Sequence, residues 1–144
     1  MSARDDEPGE ELGALLSGLL NVVVAREAPI LKAHGLTMWE YVILSRLMGE
    51  SGLTQKELAR RSRRDPTRLI GHLDALDDRH LIAREVDGSD RRRRTVRLTA
   101  EGRDLVLATH RDIRQMETDL LGGLSAEAQN ELRNALATVL RRNS

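Results

Sequence analysis

The chain has 144 residues, of which 40% are hydrophobic and 32% are charged, so it can form one folded domain but not two independent cores. It contains no cysteine, which excludes disulfides, thiolate metal sites and thiol nucleophiles. The 23 basic and 23 acidic side chains balance overall, but residues 56–97 hold 13 basic and 8 acidic ones, a pattern that fits either a nucleic-acid-binding face or a solvated arginine-rich face.

The ends and the aromatic content of the chain exclude further classes. No apolar run approaches the roughly 20 residues of a transmembrane helix, so none is expected. The acidic start of the chain has the wrong sign for a secretory signal, and a cytoplasmic location follows. Trp39 and Tyr41 are the only aromatic residues, which makes a base-stacking surface for single strands or RNA improbable.

The first predicted helix carries a wide apolar stripe at helical spacing. The stripe consists of Leu12, Leu15, Leu16, Leu19, Leu20, Val22, Val23 and Val24. A helix this apolar at a chain end has more surface to bury than a small core can take. Pro29 should kink or end the helix, because proline removes a backbone hydrogen-bond donor.

Two capping boxes mark the starts of the next two helices. In a capping box, each of two side chains accepts a hydrogen bond from the other residue's free amide. Thr37 with Glu40 opens a helix that continues to about Met48, and Thr54 with Glu57 opens a short one. This spacing therefore predicts two consecutive helices separated by a glycine-containing turn.

A further helix should begin at Asp65 and Pro66. Aspartate is a common helix cap, and proline at the first helical position loses no hydrogen bond. The predicted inner face of this helix consists of Leu69, Ile70, Leu73 and Leu76.

Residues 81–86 and 95–98 are predicted to form two paired strands. The eight-residue loop between them, 87–94, ends in four consecutive arginines. Adjacent cations repel one another, so this loop is tolerable only if it is solvated or matched by an anion.

Two helices complete the chain. Thr99 caps a long helix from about residue 100 to 121, and Ser125 caps the last one after Gly122 and Gly123. The apolar stripe of the last helix consists of Leu132, Leu136, Val139 and Leu140.

In this order the elements predict a mainly α-helical (α+β) fold, in which a helix-turn-helix is followed by a two-stranded wing. The N-terminal end of the recognition helix offers Arg64, Thr67, Arg68 and His72. Arginine reads guanine through two parallel hydrogen bonds, and threonine can bond a base edge or touch a thymine methyl. The wing loop can place an arginine in a neighbouring minor groove.

At these positions the sequence resembles the multiple-antibiotic-resistance regulator (MarR) family. The matching segments are LTQKELA at 53–59, DPTRLIGHLDAL at 65–76, LIAREV at 81–86, DRR at 90–92 and VRLTAEG at 96–102. The most specific part is the wing, where Asp-Arg-Arg is followed at a fixed distance by Leu-Thr-x-x-Gly.

The resemblance implies one winged-helix domain over residues 1–144, found in a bacterial or archaeal homodimer that binds double-stranded DNA. Its DNA-binding lobe would cover 36–98, and its dimerisation helices would cover 10–33 and 100–144. This agrees with the excess apolar stripes noted independently in the two terminal helices, although these stripes could also be plain core.

The resemblance also implies the residues that meet DNA. The implied contacts to the major groove or to phosphate come from Thr54, Gln55, Arg63, Arg64, Thr67, Arg68 and His72. Asp90 would support the wing by pairing with an arginine, and Arg91 or Arg92 would enter the minor groove. Because the run continues through Arg93 and Arg94, the sequence leaves open which of the four enters the groove.

Members of this family often bind small aromatic or phenolic anions in a crevice between the dimer helices and the DNA-binding lobe. The candidates here are His34, Trp39 and Tyr41, although a lone tryptophan at a helix start is more often a core residue.

The sequence predicts no metal site, no cofactor and no enzyme. The four histidines have no zinc-binding spacing, and no nucleophile elbow or phosphate loop is present. We expect a homodimeric repressor that binds a palindromic operator and is released by a small-molecule effector. The alternative is a winged-helix adaptor that binds another protein and no DNA.

Overall fold

A computed structural model describes residues 9–50 and 52–144, and within them it contains six helices and one three-stranded antiparallel sheet. In chain order the elements are α1 (Leu12–Ala33), α2 (Met38–Gly49), β1 (Leu53–Thr54), α3 (Gln55–Arg61), α4 (Pro66–Asp78), β2 (Ile82–Val86), β3 (Arg94–Leu98), α5 (Ala100–Leu120) and α6 (Ala126–Arg142). The predicted fold class, mainly α with a small β-hairpin wing, is confirmed.

The predicted caps are confirmed at four of five helix starts. Both capping boxes form, and the side chains of Thr99 and Ser125 accept hydrogen bonds from the amides of the first turns of α5 and α6. The prediction that the Asp65 side chain caps α4 is wrong, since it makes no capping hydrogen bond. Pro66 at the first position fixes its own φ and keeps Asp65 extended, so the backbone sets this entry without a side-chain bond.

Three helices end with a residue in the left-handed region of backbone conformation. These residues are Gly35 after α1, Arg63 after α3 and His80 after α4, with φ of 67°, 51° and 58°. In each case the next amide donates to a carbonyl five residues earlier, as from Arg64 to Ala59 at 3.0 Å. Glycine is usual at this position, and the sequence analysis did not anticipate Arg63 and His80 there.

Of the two expected effects of Pro29, a kink or an end of the helix, the second is wrong, because α1 continues through Pro29 to Ala33. The residues beyond the proline explain why. Leu31 is buried and Ile30 packs against the core, and this packing holds the last turn in place despite one missing hydrogen bond.

The hydrophobic core joins α2, α3, α4, the sheet and the middle of α5. Its fully buried apolar side chains are Ile43, Leu44, Leu58, Leu69, Leu73, Leu76, Ile82, Val96 and Val106. The assignment of Ile70 to the inner face of α4 is wrong, because Ile70 is 46% exposed. Leu69, Leu73 and Leu76 occupy the inner stripe, and Ile70 lies about 100° further round the helix.

The sheet has the strand order β1-β3-β2. The hairpin pairs Ile82 with Leu98 and Val86 with Arg94, so Arg94 belongs to the strand and the loop is one residue shorter than predicted. Strand β1, whose two residues pair with β3, was not predicted. A two-residue strand carries no alternation pattern that a sequence could reveal.

The terminal helices are poorly buried in the single chain. Helix α6 has no buried residue, and α1 has only Leu31. Their large exposed apolar side chains are Leu12, Leu15, Leu16, Leu20, Val22, Val24, Val139 and Leu140.

By length and composition, α1 could also cross a membrane. Its apolar stretch of 18 residues has a mean hydropathy of 1.5, and 6% of that stretch is buried within the chain. This contradicts the expectation that the chain has no such helix, which considered only uninterrupted apolar runs. A single helix of this kind is weak evidence for a membrane protein, because helices that are covered by other protein surfaces have the same composition.

Candidate nucleic-acid interface

Helices α3 and α4, joined by the turn at 62–65, form a helix-turn-helix, and the hairpin that follows forms the wing. Around the N-terminal end of α4, Arg63, Thr67 and Arg68 are exposed, whereas Arg64 and His72 are half-buried. The structure therefore divides the predicted recognition residues into an open group and a group that contacts other parts of the lobe.

A groove of about 740 Å³ separates α4 from the wing, and we call it the α4–wing groove. It is lined by Thr54, Gln55, Lys56, Glu57, Pro66, Leu69, Ile70, Arg92, Arg93 and Arg94. The groove brings five predicted DNA-binding residues together. Lys56 and Ile70 were missed, although Lys56 stands next to the predicted Gln55 in the basic segment.

Hydrogen bonds within the wing loop hold its backbone and leave its arginines exposed. The Asp90 carboxylate accepts from the Arg92 amide at 2.9 Å, and the Asp87 carboxylate accepts from the Ser89 amide at 2.9 Å. The resemblance implied an ion pair between Asp90 and an arginine, and the structure has this backbone contact instead. The pKa of Asp87 is lowered by its hydrogen bonds from the amide and the hydroxyl of Ser89.

The third arginine of the run connects the wing to the helix-turn-helix. A guanidinium nitrogen of Arg93 lies 3.6 Å from a carboxylate oxygen of Glu57. The pKa of Glu57 is lowered, first by the hydrogen bond from the Thr54 amide and also by the charge of Arg93. Arg91 and Arg92 make no ion pair within the described part of the chain, so their charges remain available to an external anion.

Arg84 on β2 fixes the angle between the wing and α4. Its guanidinium donates to Asp74 at 2.7 Å and, through two nitrogens, to Asp77 at 3.1 and 2.9 Å. Both bonds to Asp77 end on Oδ2, and together with the bond to Asp74 these charge-assisted contacts hold the guanidinium in one orientation. No role was predicted for Arg84, because its partners lie on a different element.

The half-buried recognition residues contact one another and Trp39. The central carbon of the Arg64 guanidinium lies 4.2 Å from the centroid of the Trp39 ring, within the range of a cation–π contact. Arg64 Nη2 is 3.5 Å from Nε2 of His72. Trp39, which was predicted to bind a ligand, is therefore part of the DNA-binding lobe's own structure.

The three ligand candidates do not meet in one pocket. His34 Nε2 is 2.7 Å from Asp112 Oδ2, and the Tyr41 hydroxyl is 3.4 Å from His110 Nδ1. Both therefore contact α5, whereas Trp39 contacts Arg64. Burial raises the pKa of Tyr41 above its ordinary value.

A separate cavity of about 480 Å³, the α1–α2 crevice, lies beside these candidates, and none of them lines it. Its lining residues are Val24, Ala28, Leu31, Lys32, Gly35, Leu36, Thr37, Met38 and Glu40. The crevice is mostly apolar, with Lys32 as its one cation. Over residues 9–50 and 52–144, no three side chains of the metal-binding types converge.

Replacing Arg63 with glycine should separate folding from DNA binding. Glycine adopts the φ of 51° without a steric penalty, so we expect the free energy of unfolding to stay within about 1 kcal/mol of wild type. Loss of one exposed cation should weaken duplex binding and lower the slope of log affinity against log salt by about 1. Denaturant unfolding and fluorescence anisotropy measure the two effects. Unchanged duplex binding would show that Arg63 serves only the turn.

Comparisons of the sequence and of the structure with known proteins point to one protein family. Residues 34–93 match the sequence profile of the MarR family. The HTH-type transcriptional repressor Rv2887 of Mycobacterium tuberculosis is 32% identical over 136 residues, which cover 94% of this chain and 96% of the repressor.

Two solved structures of the Mycobacterium tuberculosis MarR family protein Rv2887 are similar to this chain. The structure in complex with DNA has a TM-score of 0.80 and 29% identity, and covers 90% of this chain and 98% of that chain. The structure in complex with p-aminosalicylic acid has a TM-score of 0.75 and 30% identity, with the same coverage of 90% and 98%.

Proposed function

The chain belongs to the MarR family of DNA-binding transcription regulators, and on this premise we propose that it is a cytoplasmic homodimeric repressor that binds a palindromic operator and is released by a small aromatic effector. One observation supports this most strongly. The α4–wing groove is lined by Pro66, Leu69 and Ile70 of α4 and by exposed arginines of the wing, and the exposed Arg63, Thr67 and Arg68 lie at the same end of α4 as Pro66.

This arrangement fits two neighbouring grooves of one duplex. Arg63, Thr67 and Arg68 are exposed at the end of α4 that enters a major groove, where they reach base edges. Within the described residues, Arg91, Arg92 and Arg94 make no ion pair. Of these, Arg91 and Arg92 lie in the loop of the wing and are suited to the adjacent minor groove, whereas Arg94 belongs to β3. The Thr54, Gln55 and Lys56 segment lies in the α4–wing groove and would contact phosphate.

The exposed apolar faces of α1 and α6 support a homodimer. In the single chain the 17-residue α6 has no fully buried residue: Leu132 and Leu136 are half-buried, and Val139 and Leu140 are exposed. A second surface would cover the part of its apolar stripe that remains open. A second copy supplies an equivalent surface through two-fold symmetry. In such a dimer, residues 36–98 form each DNA-binding lobe, and the two α4 helices lie about one turn of B-form DNA apart, roughly 34 Å.

The α1–α2 crevice supports a site for an aromatic acid. Its volume falls within the range of small-molecule sites, and Lys32 can pair with a carboxylate. The Rv2887 structure with p-aminosalicylic acid supports the same ligand class. Arg79, at the end of α4, donates to Gly35 O at 2.8 Å and to Glu40 at 3.4 Å, so two lining residues contact the recognition helix directly. An effector there can shift the lobes, with a coupling of about 1–3 kcal/mol.

Removing two wing arginines tests the proposed DNA contact. A duplex is first obtained by selection from random sequences, and its affinity is measured over a range of salt concentrations. For the variant Arg91→Ala/Arg92→Ala we expect a loss of about tenfold or more and a salt slope smaller by about 2. Both residues are exposed, so the variant should unfold like wild type.

The matched control is Arg46→Ala/Arg111→Ala, which removes the same charge from exposed positions outside the α4–wing groove. It should keep most of the affinity. If the wing variant and the control bind the selected duplex equally well, the wing contact is wrong. If the wild-type protein selects no duplex, the adaptor alternative replaces the proposed function.

A further inference from the structure

The guanidinium of Arg64 is held by the protein before any DNA arrives. One face of it lies over the Trp39 ring at 4.2 Å, and Nη2 lies 3.5 Å from His72. The backbone below it is fixed as well, because the Arg64 amide donates to Ala59 O at 3.0 Å. The side chain therefore has less freedom than those of its exposed neighbours Arg63 and Arg68.

This environment limits what Arg64 can bind. Its Nε is buried and has no partner within the described residues, and Nη2 faces His72. Of the two terminal nitrogens, Nη1 is therefore the one without a hydrogen-bond partner within the described residues. A contact from Nη1 to one phosphate oxygen requires no change at Nε or Nη2, whereas a bidentate contact to guanine would also have to use Nη2, which lies beside His72. From its sequence position Arg64 was predicted to read a base, and the geometry points to a phosphate contact instead.

Trp39 lies on a rigid support. It is the second residue of α2, inside the capping box in which the Glu40 amide donates to Thr37 at 3.2 Å. The ring is half-buried, so it is fixed by packing but still offers one face to Arg64. A short, fixed element of α2 therefore determines where the Arg64 guanidinium lies.

We propose that Trp39 is a positioning residue for DNA binding, which holds the Arg64 guanidinium against its ring so that Arg64 meets a duplex phosphate already oriented. The inference rests on the proposed function. Holding the side chain in advance reduces the conformational entropy lost on binding. Neither Trp39 nor its contact carries sequence information, so the effect on affinity is the same for every duplex sequence.

A double-mutant cycle between Trp39 and Arg64 tests the proposal. Trp39→Leu keeps apolar bulk but has no ring, and we expect about a fivefold loss of duplex affinity. In an Arg64→Ala background the same change should have almost no effect on affinity, because the guanidinium that Trp39 positions is absent. Trp39→Phe restores a ring and should recover most of the affinity. The matched control is the cycle of Trp39→Leu with Arg63→Ala, in which the two changes in binding free energy should be additive.

Several results would overturn the proposal. If Trp39→Leu costs the same affinity with and without Arg64, Trp39 does not act through Arg64. If Trp39→Phe binds as weakly as Trp39→Leu, the ring is not the relevant feature. If the loss of affinity in Trp39→Leu depends on which base pair stands at one operator position, Arg64 reads a base and not a phosphate. Absence of duplex binding by the wild type would instead contradict the proposed function.

Tryptophan fluorescence tests the contact itself, since Trp39 is the only tryptophan in the chain. In the free protein, Arg64→Ala should change the emission, and Arg63→Ala should leave it as in wild type. Equal emission from all three proteins would show that the guanidinium does not lie on the ring in solution.

Discussion

Replacing Gly102 with alanine is expected to destabilise the fold by about 3 kcal/mol. A Cβ at this position would lie 2.9 Å from the Leu81 carbonyl carbon and 3.2 Å from its Cα, and closer still to the carbonyl oxygen. These are backbone atoms, which cannot move aside as a flexible side chain could. The same carbonyl accepts from the Thr99 amide at 3.1 Å, so a shift also disturbs the cap of α5.

Denaturant unfolding measures this effect, and Gly71→Ala is the control. Gly71 is also helical, but a Cβ there meets nothing within 4 Å, so alanine should be neutral or stabilise by up to about 1 kcal/mol. If Gly102→Ala and wild type have equal midpoints of denaturant unfolding, α5 does not pack this closely on the backbone of Leu81. The prediction also explains the Leu-Thr-x-x-Gly motif: threonine caps the helix, and glycine permits the contact.

Placing charges on the exposed apolar faces of the terminal helices is expected to weaken operator binding by about 100-fold or more. In Leu20→Glu/Leu140→Glu, the two positions are 60% and 68% exposed in the single chain, so each subunit should still fold. In the proposed dimer the carboxylates would be buried without partners, which costs several kcal/mol. Sedimentation velocity should show monomers, and each lobe then binds its half-site separately.

A duplex that contains a single half-site provides the control for this variant. Since the substitutions lie outside the DNA-binding lobe, its affinity for one half-site should equal that of wild type. Equal losses on both duplexes would show that the subunit itself is damaged. A variant that stays dimeric would show that these faces do not form the dimer.

The features that the sequence predicted well have local causes. A capping box needs only residues three apart, so the starts of α2 and α3 were predicted from Thr37 and Thr54. Helical spacing likewise identified the buried stripe of α4. Ile70 was assigned wrongly because spacing alone does not show where a stripe ends against its neighbours.

The features that the sequence did not reveal depend on contacts between distant elements. Arg84 pairs with two residues of α4, and Arg64 lies on a tryptophan 25 positions earlier in the sequence. The sequence predicted Arg64 as a recognition residue without its contact to Trp39, and it gave Arg84 no role. The resemblance to a known family gave the positions expected to face the grooves of DNA. It also paired Asp90 with an arginine side chain, whereas in the structure Asp90 accepts from the backbone amide of Arg92.

The mass of the protein–DNA complex tests the central claim most directly. Sedimentation equilibrium is performed with the selected duplex, and with the protein alone at the concentrations used for binding. The proposed function predicts two chains per duplex and a dimer without DNA. One chain per duplex, or a monomer at concentrations that saturate the operator, would contradict it.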